Sequence, residues 1–313
     1  MPPHIIAIGE ALVEIMRPDT SSPLDEVGEF RGPFASGAPA IFAVAMARLG
    51  ESVGFISGVG QDAFGRLLRK RLTHENVDST ELQTIPDRTT GIAFVAYASN
   101  GSREFVFHLR DSAAGAMDAE QIQPDYFSGS GWLHLSGTTI ALNPQSNETC
   151  WRALELAKSA GRKISFDPNL RAELMSVEEA IEVYTPFIEA ADLLLPTLEE
   201  AYLLTGIPDA DEAAAQLLQN PKTILALKRG AEGCTIYRQD ERIDSPAYSV
   251  NVLDPTGAGD CFNAACIIGL DAGWPLERVA RFACAAGALA VTRLGPMEGS
   301  PTLDEVNGLM KKE

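Results

Sequence analysis

The sequence predicts an α/β fold in which a doubly wound, mostly parallel sheet is flanked by helices and carries a small antiparallel β lid. Three observations lead there. Short apolar runs that suit buried strands alternate with longer segments of helical periodicity over most of the chain, and that rhythm with short connections builds a parallel sheet covered on both faces. The stretch 90–109 breaks the rhythm with two β-rich runs around Asn100-Gly101, the strongest short signal for a hairpin because both turn residues tolerate positive φ. Finally, 313 residues with 45% hydrophobic and 22% charged side chains supply a core for one large α/β domain or two smaller ones.

Residues 5–8 form a compact apolar run ending at Gly9, suited to a buried parallel strand. Residues 11–16 alternate as a second strand with one exposed face. After a polar, proline-containing stretch, 30–37 leads into a helical pattern over 38–49 that Gly50 stops. A buried strand at 52–57 and an amphipathic helix at 62–72 follow. The hairpin arms, 91–98 and 103–109, are expected to join 11–16 and 27–34 in the lid, drawn from about 11–35 and 90–111 of a single 1–313 domain. The rhythm then resumes: strands at 131–136, 163–167, 193–195 and 223–228 alternate with helices at 144–160, 177–190, 198–205 and 211–219. Residues 233–237 and 241–245 read as a second hairpin, and helices at 258–272, 275–293 and 302–312 complete the chain. An apolar outer lid face made by Phe94, Phe105 and Phe107 points to a homodimer packed lid on lid.

Composition narrows the function. With 25 basic and 43 acidic residues the net charge is −18, which argues against broad, phosphate-led binding to nucleic acid or anionic membrane. An anionic ligand then requires a local site of backbone donors, arginine or a divalent metal. The five cysteines show no CxxC pair and no His partner at metal spacing, as expected for reduced thiols in a cytoplasmic compartment. No segment has the length to cross a bilayer, and the N-terminus lacks the pattern of an export signal.

The most informative stretch is Asp254-Pro-Thr-Gly-Ala-Gly-Asp260. Gly257, Ala258 and Gly259 make a small turn whose N–H groups, placed at a helix N-terminus, form a nest for phosphate. Asp260 falls on the first helical turn beside that nest, where a carboxylate resists an anion unless it has a task such as removing a proton from a hydroxyl. The competing use is a glycine-rich turn with an acidic cap. Ser36-Gly-Ala-Pro-Ala40 opens a helix with little bulk, for polyol approach or for tight packing alike. Asp167-Pro-Asn-Leu-Arg171 displays polar groups just past a strand, where α/β sheets place ligand contacts. Arg110 follows the lid hairpin and offers a cation over a bound anion or polyol. Lys228-Arg-Gly-Ala-Glu-Gly233 is a glycine-bracketed turn after a strand, and Thr197-Leu-Glu-Glu200 sets two carboxylates at a helix start. Gly58-Val-Gly-Gln-Asp-Ala63, with Asp78 downstream, fits a dinucleotide fingerprint and raises an NAD-dependent oxidoreductase as an alternative of another class.

With these residues in hand, the chain resembles the ribokinase-like (PfkB-type) carbohydrate kinases over essentially its full length. Asp254 to Asp260 resembles the C-terminal signature of that family, and Ser36 to Ala40 with Gly58 to Gly65 resembles its N-terminal one. The resemblance implies ATP-dependent phosphoryl transfer to a sugar hydroxyl, with Asp260 as base and Gly257, Ala258 and Gly259 as the anion hole. It assigns Glu14, Gly37, Ala38, Arg110, Asn169 and Arg171 to the sugar, and Thr197, Lys228, Gly230, Gly233 and Cys284 to the nucleotide. It further implies Mg²⁺, with Glu200 acting indirectly, and a monovalent cation such as K⁺ between the Asp254 loop and the segment near Gly295. Glu14, Arg110-Asp-Ser-Ala-Ala114 and Arg171 resemble the 2-keto-3-deoxygluconate kinase branch; fructokinase and tagatose kinase follow closely. Ile41, Thr197 and Cys284 stand where Asn is common in the family, departures that bear on sugar and nucleotide preference. A silent sensor on a kinase scaffold is the third reading, which the retained Asp260 opposes.

Overall fold

The computed structural model describes residues 2–19, 22–97 and 103–311. In chain order the strands are β1 (Ile5–Ile8), β2 (Leu12–Met16), β3 (Arg31–Ser36), β4 (Val53–Gly60), β5 (Leu82–Ile85), β6 (Gly91–Tyr97), β7 (Arg103–His108), β8 (Trp132–Ser136), β9 (Lys163–Asp167), β10 (Leu193–Leu194), β11 (Ile224–Lys228), β12 (Cys234–Arg238) and β13 (Glu241–Ser245). The helices are α1 (Ala38–Arg48), α2 (Ala63–His74), α3 (Gly137–Ile140), α4 (Pro144–Ser159), α5 (Val177–Ala190), α6 (Leu198–Thr205), α7 (Ala210–Leu217), α8 (Ala258–Asp271), α9 (Leu276–Ala290) and α10 (Leu303–Met310).

Nine strands form the main sheet in the order β13-β12-β11-β10-β9-β8-β1-β4-β5. All pairings from β11 to β5 are parallel, and the β12–β13 hairpin closes one edge antiparallel. Chain progression reverses direction at β1, with β4 on one side and β8 on the other, and ligand crevices in such sheets open at that kind of switch point. Buried apolar residues form two clusters, one with α1, α8 and α9 and one with α4, α5 and α6. They cover opposite faces, as a parallel sheet with few exposed side chains requires.

Local chemistry explains most boundaries. Asn143 caps α4 ahead of Pro144, and Ser176 with Glu179 makes a capping box on α5. β5 has no strong signal of its own, because its four residues Leu-Gln-Thr-Ile are half polar; the open edge of β4 recruits it.

β4 itself runs to Gly60, through the dinucleotide fingerprint, and this corrects the oxidoreductase alternative. A Cβ at Gly58 would strike the Ala113 carbonyl, and one at Gly65 the Gly60 carbonyl. Asp62 caps α2 through Gly65 N at 2.8 Å and also accepts from Thr90 N at 2.7 Å. These glycines let protein backbones approach one another, so none of the signature is left to embrace a pyrophosphate.

The second sheet is the lid, ordered β3-β2-β6-β7. Its two outer pairings are antiparallel, and the central β2–β6 pairing is parallel. The Asn100-Gly101 turn lies outside the described residues. Register corrects the proposed outer face. Val95 opposes Phe105 and Ala93 opposes Phe107, whereas Phe94 opposes Val106. Since side chains alternate across a strand, Phe105 and Phe107 share the face of Glu14, Tyr97 and Arg103, while Phe94 points the other way with Phe30 and Val106.

Candidate active site

The site is built on the N-terminus of α8. Gly257 precedes the helix with φ 83°, and no side chain caps it. The first-turn N–H groups therefore lack internal acceptors and, together with the helix dipole, present a positive rim. Asp254 shapes the approach: its buried Oδ1 accepts Thr256 N at 2.9 Å, and its Oδ2 accepts Gly295 N at 2.9 Å. Gly259 faces Lys228, whose Nζ would lie 3.6 Å from an added Cβ. The nest lines a cleft of about 730 Å³ together with Asp260, Asp167, Asn169, Arg171, Thr197, Glu200, Lys228, Gly230, Gly233 and Cys284. That volume suits a nucleotide with a small polar substrate.

Asp260 is half-buried at the floor of this cleft. Burial of its carboxyl, and next the neighbouring Asp167, push its pKa up to about 7, although Lys228 and Arg171 oppose them. Asp167 sets the geometry around it. Its Oδ2 accepts Lys228 Nζ at 2.7 Å and Asn263 Nδ2 at 2.6 Å, and its Oδ1 accepts Asn169 N at 3.0 Å. One carboxylate thus ties the ends of β9 and β11 to α8 one turn beyond Asp260. Lys228 stays protonated: burial lowers its pKa, but Asp167 and Glu200 outweigh that effect and raise it.

A pH dependence follows. Below about pH 7 Asp260 carries a proton and cannot accept one. We expect kcat/KM to climb with unit slope through the acid range and to level off above about pH 7. Burial and then Asp254 bring Glu14 also to about 7, so a limb steeper than unit slope would mark Glu14 as a second group that must be ionised. Steady-state rates across the range check this; a flat profile would remove Asp260 from the role of base.

The lid reaches the same floor. Tyr97 Oη donates to Asp254 Oδ1 at 2.8 Å and lies 2.8 Å from Thr256 Oγ1, so the last residue of β6 docks on the anion loop. Glu14 is buried, accepts Ser36 Oγ at 3.2 Å, and keeps its Oε1 without a partner. An orphan buried oxygen is costly unless a ligand hydroxyl serves it.

Other expected sugar contacts behave differently. A Cβ at Gly37 would strike the Glu10 carbonyl, and Glu10 itself accepts from Thr139 Oγ1 and from the Ala38 backbone. The missing side chain at Gly37 thus lets α1 start directly against the Glu10 backbone. Arg110 does not line the cleft: it is exposed, and its guanidinium donates to the Leu174 carbonyl. Arg103, which sequence reasoning passed over, lines the cleft near Arg171 instead. Its signal was alternation: Arg103, Phe105 and Phe107 share one face.

At the far end Thr197 and Glu200 form a capping box on α6. Glu200 Oε2 accepts Thr197 N at 2.7 Å, and Oε1 accepts Leu170 N at 2.8 Å. Gly230 has φ 57° with nothing near its missing Cβ, so it is open to the cleft, while a Cβ at Gly233 would strike the Ser245 carbonyl. Cys284 and Tyr248 complete that wall, and the Tyr248 hydroxyl is buried without a partner.

An ionisable acid beside an uncapped helix N-terminus, in a cleft at the strand ends of a doubly wound sheet beneath a lid, suits phosphoryl transfer to a hydroxyl. Residues 3–303 match pfkB family carbohydrate kinase. The chain belongs to the pfkB family of carbohydrate kinases. It is 32% identical to fructokinase-1 of Oryza sativa subsp. japonica over 98% of this chain and 97% of that protein. It is 28% identical to 5-dehydro-2-deoxygluconokinase of Clostridium perfringens over 99% of this chain and 93% of that protein. Among solved structures, a ribokinase II of E. coli in complex with ATP and Mg²⁺ superposes with a TM-score of 0.93 at 35% identity, covering 99% of this chain and 100% of that one.

Proposed function

We propose that this kinase transfers the γ-phosphoryl group of ATP to a hydroxyl of a 2-keto sugar acid resembling 2-keto-3-deoxygluconate, with Asp260 as base. The placement of Asp260 beside the Gly257–Gly259 nest carries the reaction type. The hydroxyl loses its proton to Asp260 as its oxygen attacks phosphorus, and the nest with Lys228 takes up charge on the transferred group. Such transfer relies chiefly on positioning and charge stabilisation. The relatives include kinases of a neutral ketose and kinases of a deoxy sugar acid, so fructose and tagatose are the substrates to test against.

The arginines favour the acid. Arg103 and Arg171 both line the cleft, and neither has a carboxylate or carbonyl partner among the described residues. Enclosure and, next, the charge of Arg171 pull the Arg103 pKa down, as happens when two guanidiniums face the same space. A substrate carboxylate relieves that repulsion and forms charge-assisted hydrogen bonds. Arg171→Met is expected to raise KM for 2-keto-3-deoxygluconate by about 10- to 100-fold, a loss of roughly 1.5–3 kcal/mol, while leaving KM for fructose nearly unchanged. A coupled ATP assay over a panel of sugars and sugar acids measures both. Equal losses on both substrates would assign Arg171 to the phosphates.

Among the described residues no group of three or more His, Cys, Asp and Glu side chains is placed to hold a metal. That fits Mg²⁺ held mainly by substrate phosphates and water, with Glu200, whose oxygens already accept backbone N–H groups, reaching it indirectly. Such an ion neutralises phosphate charge. The Asp254–Gly295 contact joins the two segments suited to a monovalent cation, and K⁺ belongs in the assay.

We place the protein in the cytoplasm: its cysteines are free and buried, and no helix among the described residues is long and apolar enough to cross a membrane. We also retain a homodimer, now through the outer lid face, where Phe30 and Val106 are 41% and 43% exposed. Sedimentation at micromolar concentration should give a dimer that Val106→Glu dissociates; a wild-type monomer would refute it.

A further inference from the structure

Cys234, the first residue of β12, and Cys284, in the middle of α9, bring their sulfurs to 3.5 Å and share a hydrogen bond. Neither is in a disulfide. Buried free cysteines usually act as inert small hydrophobes, but this pair is placed asymmetrically. Cys284 lines the cleft, whereas Cys234 lies behind it and is not part of the cleft wall. Cys284, 6% exposed at the cleft wall, is therefore the sulfur that a small oxidant entering the cleft meets first, and the Cys234 thiol stands 3.5 Å behind it, within reach of whatever forms there.

We propose that Cys234 and Cys284 are a hydroperoxide-sensitive modification site in the cleft wall, closing reversibly to a disulfide that lowers kinase activity. The Cys284 thiolate attacks a peroxide oxygen; an S–O bond forms, the O–O bond breaks, and the leaving oxygen departs as water or alcohol after protonation. Cys234 then loses its proton and attacks the Cys284 sulfur; the S–S bond forms, the S–O bond breaks, and water leaves. Two thiols are oxidised by two electrons, and the peroxide is reduced by the same two. Closure brings the sulfurs together by about 1.5 Å to a bond of about 2.05 Å. That movement draws Cys284 back from the cleft and ties α9 to β12. α9 also supports the anion nest, because a Cβ on its Gly287 would lie 3.2 Å from the Ala258 carbonyl, so the link disturbs the wall and the nest together. This inference rests on the reading that the Cys284 end of the cleft takes the nucleotide.

The test treats the full-length protein with hydrogen peroxide, with and without ATP, and follows activity, intact mass and cysteine-linked peptides. We expect loss of two hydrogens, a Cys234–Cys284 peptide, a parallel fall in activity, and recovery of both with dithiothreitol. Cys234→Ser should instead trap a sulfenic acid at Cys284 that a dimedone-type reagent labels. Absence of the linked peptide, a link to Cys266 in its place, or full activity of the linked protein would each overturn the inference. ATP at ten times its Kd should slow linkage about tenfold by occupying the cleft. Linkage and activity loss that proceed at the same rate with ATP uphold the dithiol and place the nucleotide elsewhere.

Discussion

Asp260→Asn is expected to lower kcat by about 10²- to 10⁴-fold, the usual worth of a positioned general base, with little change in fold. Asparagine keeps the shape of the side chain and cannot accept the proton of the attacking hydroxyl. It also removes a charge that faces Asp167 across the cleft floor, so the folded protein should be no less stable than the parent. Phosphate-binding groups remain, and KM for ATP should move by less than kcat does. Steady-state kinetics beside a thermal melt decide it: undiminished turnover would move the proton to another acceptor.

A comparable loss comes from one methyl group. Gly257→Ala puts a Cβ 2.6 Å from the Pro296 carbonyl oxygen and 3.1 Å from Ile41 Cγ2, at a backbone φ of 83°. Left-handed backbone costs a non-glycine residue roughly 1–2 kcal/mol, and the clash can be relieved only by moving the loop. Because that loop presents the uncapped N–H groups that we propose as the anion hole, misplacing them is expected to cost about 10²- to 10³-fold in kcat. The check is kcat together with the melting temperature. Gly161→Ala is the control, since its φ of 72° is also left-handed but nothing crowds its Cβ position and it lies outside the cleft; equal losses in the two variants would mean that strain alone is responsible.

Much of this site was legible in the chain. The nest and Asp260 lie within seven consecutive residues, and local geometry alone brings them together. Thr197, Lys228, Gly230, Gly233 and Cys284 follow buried strands or line a helix, and in a parallel sheet strand ends converge on one edge. What escaped notice was set by pairing across distance. Arg103 enters the cleft because β7 pairs with β6 in a register that turns it inward, while Arg110, a better match to pattern, faces the Leu174 carbonyl instead. Phe94 parts from Phe105 and Phe107 for the same reason. Gly58 looked like a ligand glycine and proves to be a close-packing glycine inside β4, a distinction invisible until the facing backbone is known.

By itself, then, the sequence determined the layered fold, the phosphate nest and its acid, because each depends on periodicity or on neighbours a few residues apart. Only the tertiary structure decided which arginines line the cleft, how Asp167 holds Lys228 and Asn263 around Asp260, and that Cys234 lies behind Cys284. Each of those contacts joins residues 50 or more positions apart, where register and crossover connections, and not local propensity, choose the neighbour.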